Sequence, residues 1–416
     1  MSLPRPARRR WPRVLAAIAL ALALVIAGFA VWSAVASAPA GEPQAVEFAD
    51  ATISDDLASA TVLALGEATH GTAEFQHARL TLLQKLVDRG FTTIALEDPA
   101  GTSSEVDAWL QGGSGTVTDA VSAFGYRLYR TQETADLLSW IRAHNEGRPE
   151  AERIRLYGID IQRPDADKRI VLGWLATLDP DAAAGFTSQL AGLTDDSRRD
   201  RGVVDTALPP ARALAEAVEA AAEGRADDAS LRARLSARAL VAGLEGALPG
   251  SVPSDRDVRM ADLLALLVAE RSAAGGAHTL LFGHNGHLDK AGQATGVPGP
   301  SLGSLSAERW GGAYRAIGTD GHHVAFADQG ETFSVRVDSP IRGLFAGTTQ
   351  GYLEWSAASE RNRAVLDRAL PMVSTGTPFA PWQAWVPFFH SVTVTPAQAW
   401  DATIYVEDAH PSTTLR

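Results

Sequence analysis

The chain contains no cysteine. Disulfides, thiolate catalysis and cysteine-based zinc sites are therefore excluded, and such a chain suits an oxidising compartment. Acidic residues are missing from the first 38 positions, which hold five arginines; the remaining body sums to about −17 against −12 for the whole chain. A body of that sign offers no general electrostatic footprint for nucleic acid. There is no His-Glu-x-x-His, no Walker loop and no Gly-x-Gly-x-x-Gly, so those routes to zinc, phosphate or dinucleotide are closed. Gly299-Pro300-Ser301-Leu302-Gly303 matches Gly-x-Ser-x-Gly formally. A nucleophile elbow needs a strand before its serine. Residues 292–298 are rich in glycine and proline, so Ser301 reads as a turn serine.

What is present begins with the N-terminus. Arg5, Arg8, Arg9, Arg10 and Arg13 precede Val14 to Val35, a run without a single charge. About 22 residues of this kind span the hydrocarbon of a bilayer as a helix. The arginine flank predicts a cytoplasmic N-terminus and an exported body. Ala36-Ser37-Ala38 has the small residues of a signal-peptide cleavage site. Residues 1–38 are thus a membrane anchor or a cleaved signal, and 39–47 a linker with Pro39, Gly41 and Pro43. Residues 48–416 are expected to form one α/β domain.

Strand-like and helix-like segments alternate in that body. Thr61–Leu65, Thr92–Leu96, Ile154–Tyr157 and His278–Phe282 read as buried strands; Glu74–Arg89, ended by Gly90, and Thr131–His144 read as helices. Further strands are expected at Tyr314–Ile317, His323–Phe326, Thr332–Val337 and Ala402–Glu407, and Gly303–Gly321 as a compact connector. This pattern predicts a parallel or mixed central sheet flanked by helices. Residues 165–275 are rich in Ala, Leu, Arg and Glu, with helices at Ala211–Ala222, Leu231–Leu248 and Asp255–Ala269. They read as a helical insertion capping one end of the sheet.

Four of these strands end in ionisable or amide residues: Glu67 and His70, Glu97 and Asp98, Asp160 and Gln162, His284 and His287. Ligands of open α/β sheets bind beyond the carboxyl ends of the strands. Acids and imidazoles converging there shift one another's protonation and suit general acid–base chemistry. Each also has a structural reading: Glu67, for example, can cap the helix that follows, and Asp160 can cap another. Arg79 shares a helix face with Phe75, Leu82 and Leu86, so it needs an acceptor, and the Glu97 carboxylate is the expected one. His322 and His323, beside glycine, read as surface turn residues. With no cysteine and no well-placed serine, water is the simplest nucleophile, activated by a histidine or by a metal.

Gly66-Glu67-Ala68-Thr69-His70-Gly71 with Glu74-Phe75 and Arg79, the Glu97 strand end, and Gly158-Ile159-Asp160-Ile161-Gln162 follow one another in order. Arg256-Asp257 and His284-Asn285-Gly286-His287 complete the series. In these residues the chain resembles the erythromycin esterase family. The resemblance implies an α/β core around a deep cleft, and hydrolysis of a small-molecule ester or lactone, a macrolide ring being the namesake substrate. By position it implies His70 as general base, with Glu67 orienting it. His284 and His287 would stabilise the oxyanion or place the water. Arg79, Glu97, Glu74, Asp160, Gln162 and Arg256 would bind substrate or organise the cleft. No cofactor and no metal ligand set are implied. A divalent metal on the same histidines and carboxylates, or a non-enzymatic haem- or iron-binding protein, are the alternatives that the residues alone leave open. Oligomeric state is not encoded in any feature of the sequence.

Overall fold

The computed structural model describes residues 41–415, apart from 274, 276 and 277. The expected anchor or signal, with the chargeless run 14–35, lies outside the described residues. Among the described residues no helix is long and apolar enough to cross a membrane.

The strands in chain order are β1 (Val46–Glu47), β2 (Val62–Glu67), β3 (Phe91–Pro99), β4 (Arg155–Asp160), β5 (His278–His284) and β6 (Tyr314–Asp328). They are followed by β7 (Glu331–Arg336), β8 (Gln350–Glu354), β9 (Leu370–Val373), β10 (Ser391–Val394) and β11 (Ala402–Ala409). The main sheet runs β1-β8-β11-β6-β2-β5-β3-β4, with β7 paired to β6; β9 and β10 form a separate hairpin. The six strands from β11 to β4 are parallel to their neighbours, whereas β8, β1 and β7 are added antiparallel. The sheet is thus mixed, flanked by helices.

Successive strand residues point to opposite faces, and both faces are buried here. Val62, Ala64, Ala95 and Leu281 pack with Met260, Leu264 and Leu267 of the helix Ser254–Ala273. Leu63, Leu65, Ile94 and Phe282 pack on the other face with Leu82 and Leu86 of Ala73–Leu86 and with Leu138 and Ile141 of Gln132–Asn145. Each buried aliphatic side chain of this kind contributes about 1.5–3 kcal/mol.

The helices Pro164–Ala176, Pro180–Gln189, Arg201–Ala222 and Asp228–Gly246 form a body with its own core, which includes Val171, Leu208, Leu214 and Leu240. Asp179, Asp200 and Asp227 cap three of them by accepting backbone N–H bonds. Arg201–Ala222 begins ten residues before the expected start, because Pro209 and Pro210 sit inside it.

Three expectations need correction. Gly303–Gly321 is no connector: Leu302–Trp310 is a helix, and Tyr314 to Asp328 is one continuous strand. Its glycines serve packing, since a Cβ on Gly318 would lie 2.7 Å from the Trp400 ring. Within that strand His322 is buried rather than in a surface turn, with its ring nitrogens near Asp338 (3.0 Å) and Glu407 (3.2 Å). Part of the stretch read as a linker also belongs to the fold. Glu42 N donates to Asn362 Oδ1, and Val46–Glu47 pair with β8.

Candidate active site

The parallel register brings the predicted residues to one edge. Glu67 of β2 lies directly beside His284 of β5, and Glu97 and Asp160 close β3 and β4. Two glycines set the approach of these strands. A Cβ on Gly66 would lie 2.3 Å from Asn285 Oδ1, and one on Gly283 would lie 3.0 Å from Glu97 Oε2.

The first group is built on β2 and the helix after it. His70 Nδ1 bonds Glu67 Oε1 at 2.8 Å, and Arg79 Nη2 donates to Glu67 Oε2 at 2.5 Å. Arg79 therefore pairs with Glu67, not with the expected Glu97. It also lies over the Tyr129 ring, 5.1 Å from its centroid. Gln76 Nε2 donates to the His70 carbonyl at 2.7 Å and Gln76 Oε1 accepts from Thr131, which fixes the loop that carries the imidazole. With Nδ1 occupied by a carboxylate, Nε2 is the available nitrogen of a ring that lines a cavity. Glu74 does not join this group; it holds the backbone N–H and Nδ1 of the exposed His410.

The second group is a closed network. Arg256 donates to Asp160 through Nε (3.1 Å) and Nη2 (2.5 Å), and Nη2 also donates to Glu97 Oε1 at 2.9 Å. Tyr126 Oη donates to Asp160 Oδ2 at 2.5 Å. His287 Nδ1 meets Asp257 Oδ1 at 2.7 Å and Nε2 meets Glu97 Oε1 at 3.2 Å. Burial works against charge on His287, but Glu97 and Asp257 outweigh it and push its pKa up to about 10. His287 is thus an imidazolium donating from both nitrogens. Burial pushes the Glu97 carboxyl up, yet His287, Arg256 and His70 hold it well below the usual carboxylate range. Arg256 Nη1 lies 3.1 Å from His287 Nε2, and Arg256 lines a cavity.

His284 stands between the groups. Its Nε2 meets the Ala68 carbonyl at 3.2 Å and its Nδ1 accepts from Gly286 N at 3.1 Å. Burial, with the neighbouring His70, pushes its pKa down to about 3, so the ring is neutral. It packs against His70 with centroids 4.9 Å apart. Both nitrogens are engaged, and in this conformation His284 has no proton to offer an oxyanion.

A cavity of about 490 Å³ is lined by Gln162, Arg256, Asp257, His284 and His287 together with insertion residues such as Leu240 and Leu244. His70 lines a second cavity of about 280 Å³ with Tyr126, Thr131, Thr375 and Ser412. His284 thus lines the larger cavity and His70 the smaller, with the two rings in contact. Among the described residues no group of three or more His, Asp or Glu is arranged to hold a metal ion.

Sequence reasoning missed Asp257, Tyr126 and Gln76 as site residues. Asp257 had a signal, its place next to Arg256 on one helix. The tyrosine and the glutamine had none, because each comes from a segment whose path only the fold defines.

A profile of the erythromycin esterase family matches residues 86–409. The chain belongs to the erythromycin esterase family. It is accordingly an esterase-type hydrolase. The matched span holds Glu97, Asp160, Arg256, His284 and His287; Glu67, His70 and Arg79 precede it. Three solved structures share the fold. A Bacillus cereus protein superimposes with TM-score 0.75 at 20% identity, covering 90% of this chain and 97% of the other. A succinoglycan biosynthesis protein gives 0.72 at 17% identity, covering 86% and 91%. A histidine-to-asparagine mutant of the erythromycin esterase EreC, in its open conformation, gives 0.61 at 19% identity, covering 88% and 97%.

Proposed function

We propose that this esterase cleaves a carboxylic ester or lactone with water activated by His70, without a covalent intermediate. The observation that carries the reading is the Glu67–His70 bond at 2.8 Å with Arg79 on the second Glu67 oxygen. A carboxylate so clamped fixes the tautomer with Nδ1–H and leaves Nε2 basic. Water donates its proton to His70 Nε2 as its oxygen attacks the carbonyl carbon. The imidazolium that forms is stabilised by Glu67. The oxyanion takes hydrogen bonds from Arg256 Nη1, beside the cationic His287. On collapse the C–O bond breaks, and His70 returns the proton to the departing alkoxide. A donor placed in this way is commonly worth about 3 kcal/mol of barrier.

In this reading His284 is a neutral wall against which the His70 ring is held, and the insertion that lines the larger cavity selects among esters. Macrocyclic lactones such as erythromycin-type antibiotics, named by the family and by one of the solved structures, are the first substrates to try. Residues 1–38 anchor the enzyme to the outer face of the cytoplasmic membrane, or direct its secretion with cleavage near Ala38.

The test is incubation of the purified protein with a panel of macrolides and simple esters, with His70→Ala alongside. Mass spectrometry detects the addition of one water. Ring opening or ester cleavage by the unaltered protein only supports the reading. Equal turnover by His70→Ala removes His70 as the base.

A further inference from the structure

Residues 369–400 contain no Asp, Glu, Lys or Arg. The middle of this stretch, Pro381–Trp385 and Pro387–Phe389, forms two short turns of 3-10 helix on the surface. It carries Trp382, Trp385, Val386 and Phe388 at 52, 86, 40 and 83% exposure, four of the large apolar side chains that stand most open on the molecule. Trp382 and Phe388 each pack edge-on against Phe389, at 4.8 and 5.2 Å. The segment is held from below. His390 is buried with its Nδ1 on the Gln383 carbonyl, and Phe379 packs on Phe326 and Phe333. The aromatics are therefore presented on a fixed base.

We infer that this segment seats the body on a lipid bilayer, with Trp382, Trp385 and Phe388 in the interfacial layer. The inference rests on the reading of residues 14–35 as a membrane segment. Two observations choose a bilayer over a protein partner. First, the patch is exposed and tipped by tryptophan, the side chain that favours the headgroup level. Second, a relay of contacts links Gly41, where the described body starts, to the patch. Gly41 packs on Leu344, Arg342 pairs with Glu407, Glu407 reaches His322, and His322 shares a surface hollow with Trp385. A membrane segment ending a few residues before Gly41 keeps this surface at high local concentration against the bilayer. Beside the patch Arg336 pairs with Asp338, and His323 lies 3.7 Å from Asp408, so no surplus of positive charge is presented and the contact needs no anionic lipid.

The same segment begins in the wall of the smaller cavity: Thr375 and Thr377 line it with His70, and Thr377 is bonded to Asp328. Seating on the bilayer therefore brings the His70 cavity close to the lipid surface.

The absence of cysteine makes the test clean. Phe388→Cys, Trp385→Cys and the distant control Leu178→Cys are prepared in the full chain and labelled with an environment-sensitive nitrobenzoxadiazole probe. They are reconstituted with zwitterionic phosphatidylcholine vesicles, and doxyl-labelled lipid is added as quencher. The expected result is co-flotation of all three, with blue-shifted emission at 385 and 388 that doxyl lipid largely quenches, while the probe at 178 is unaffected. Co-flotation with unquenched probes at 385 and 388 overturns the inference and leaves the anchor standing. No co-flotation overturns both. Blue-shifted emission at 388 that persists without vesicles assigns the patch to a second copy of the chain and also overturns it.

Discussion

The two groups of charged residues at the strand ends are built in opposite ways. The β2 group has one carboxylate, Glu67, shared between one cation and one imidazole whose second nitrogen is open. The group around β3, β4 and Ser254–Ala273 has three carboxylates, Glu97, Asp160 and Asp257, closed on the cations Arg256 and His287. Two histidines three positions apart show the contrast most sharply: His287 is held charged, His284 is held neutral. An imidazole takes its state from the partners its backbone position supplies, and neutral chemistry needs the open group while charge stabilisation needs the closed one.

Breaking the open group should have the largest effect. His70→Ala is expected to lower kcat on a confirmed substrate by about 10²–10⁴-fold, with an unfolding midpoint close to that of the unaltered protein. A parallel fall in stability would show that His70 acts in folding instead. Glu97→Gln tests the closed group: it strips a buried carboxylate from two half-buried cations and should cost about 3 kcal/mol in denaturant unfolding. A change below about 1 kcal/mol would mean the network is not what holds the strand ends together.

The third prediction uses pH. His287 titrates near 6.5 when unfolded and at about 10 when folded. Its contribution is complete below the unfolded value and is lost as pH rises towards 10, on the order of a few kcal/mol over that window. Stability of the unaltered protein should therefore decline on the alkaline side more steeply than that of His287→Gln. Superimposable slopes would sink the charged assignment. The smallest effect is expected at Glu74, outside both groups. Glu74→Gln weakens only its bonds to the ring and backbone N–H of an exposed histidine and should move stability by less than about 1 kcal/mol, with kcat unchanged in the same assay as His70→Ala.

Much of this contrast was legible in the sequence, because a short apolar run followed by an acid or imidazole marks a strand end whatever surrounds it. Glu67, Glu97, Asp160 and His284 were found in this way. The partners were not legible. Arg79 was paired with Glu97 because both looked available; in the fold the helix Ala73–Leu86 runs back along the strand that bears Glu67, and Arg256 arrives from a distant helix to take Glu97. His322 was misread because glycine just before a histidine signals a turn, whereas here Gly318 and Gly321 let β6 pass beneath Trp400 and beside Val406. Local pattern identifies what a strand carries, and only the crossing helices decide what it meets.

The position of β11 has a consequence for timing. It is the last strand in chain order, yet it lies inside the sheet between β8 and β6. The residues after it bond back to the first functional loop: Ala73 N donates to the His410 carbonyl and Ser412 N to the Gly71 carbonyl. The pocket beside His70 therefore cannot close until residues near 412 have been synthesised and have threaded between strands made long before. A nascent chain of this order stays unfinished throughout translation, and contacts of such long sequence separation form slowly.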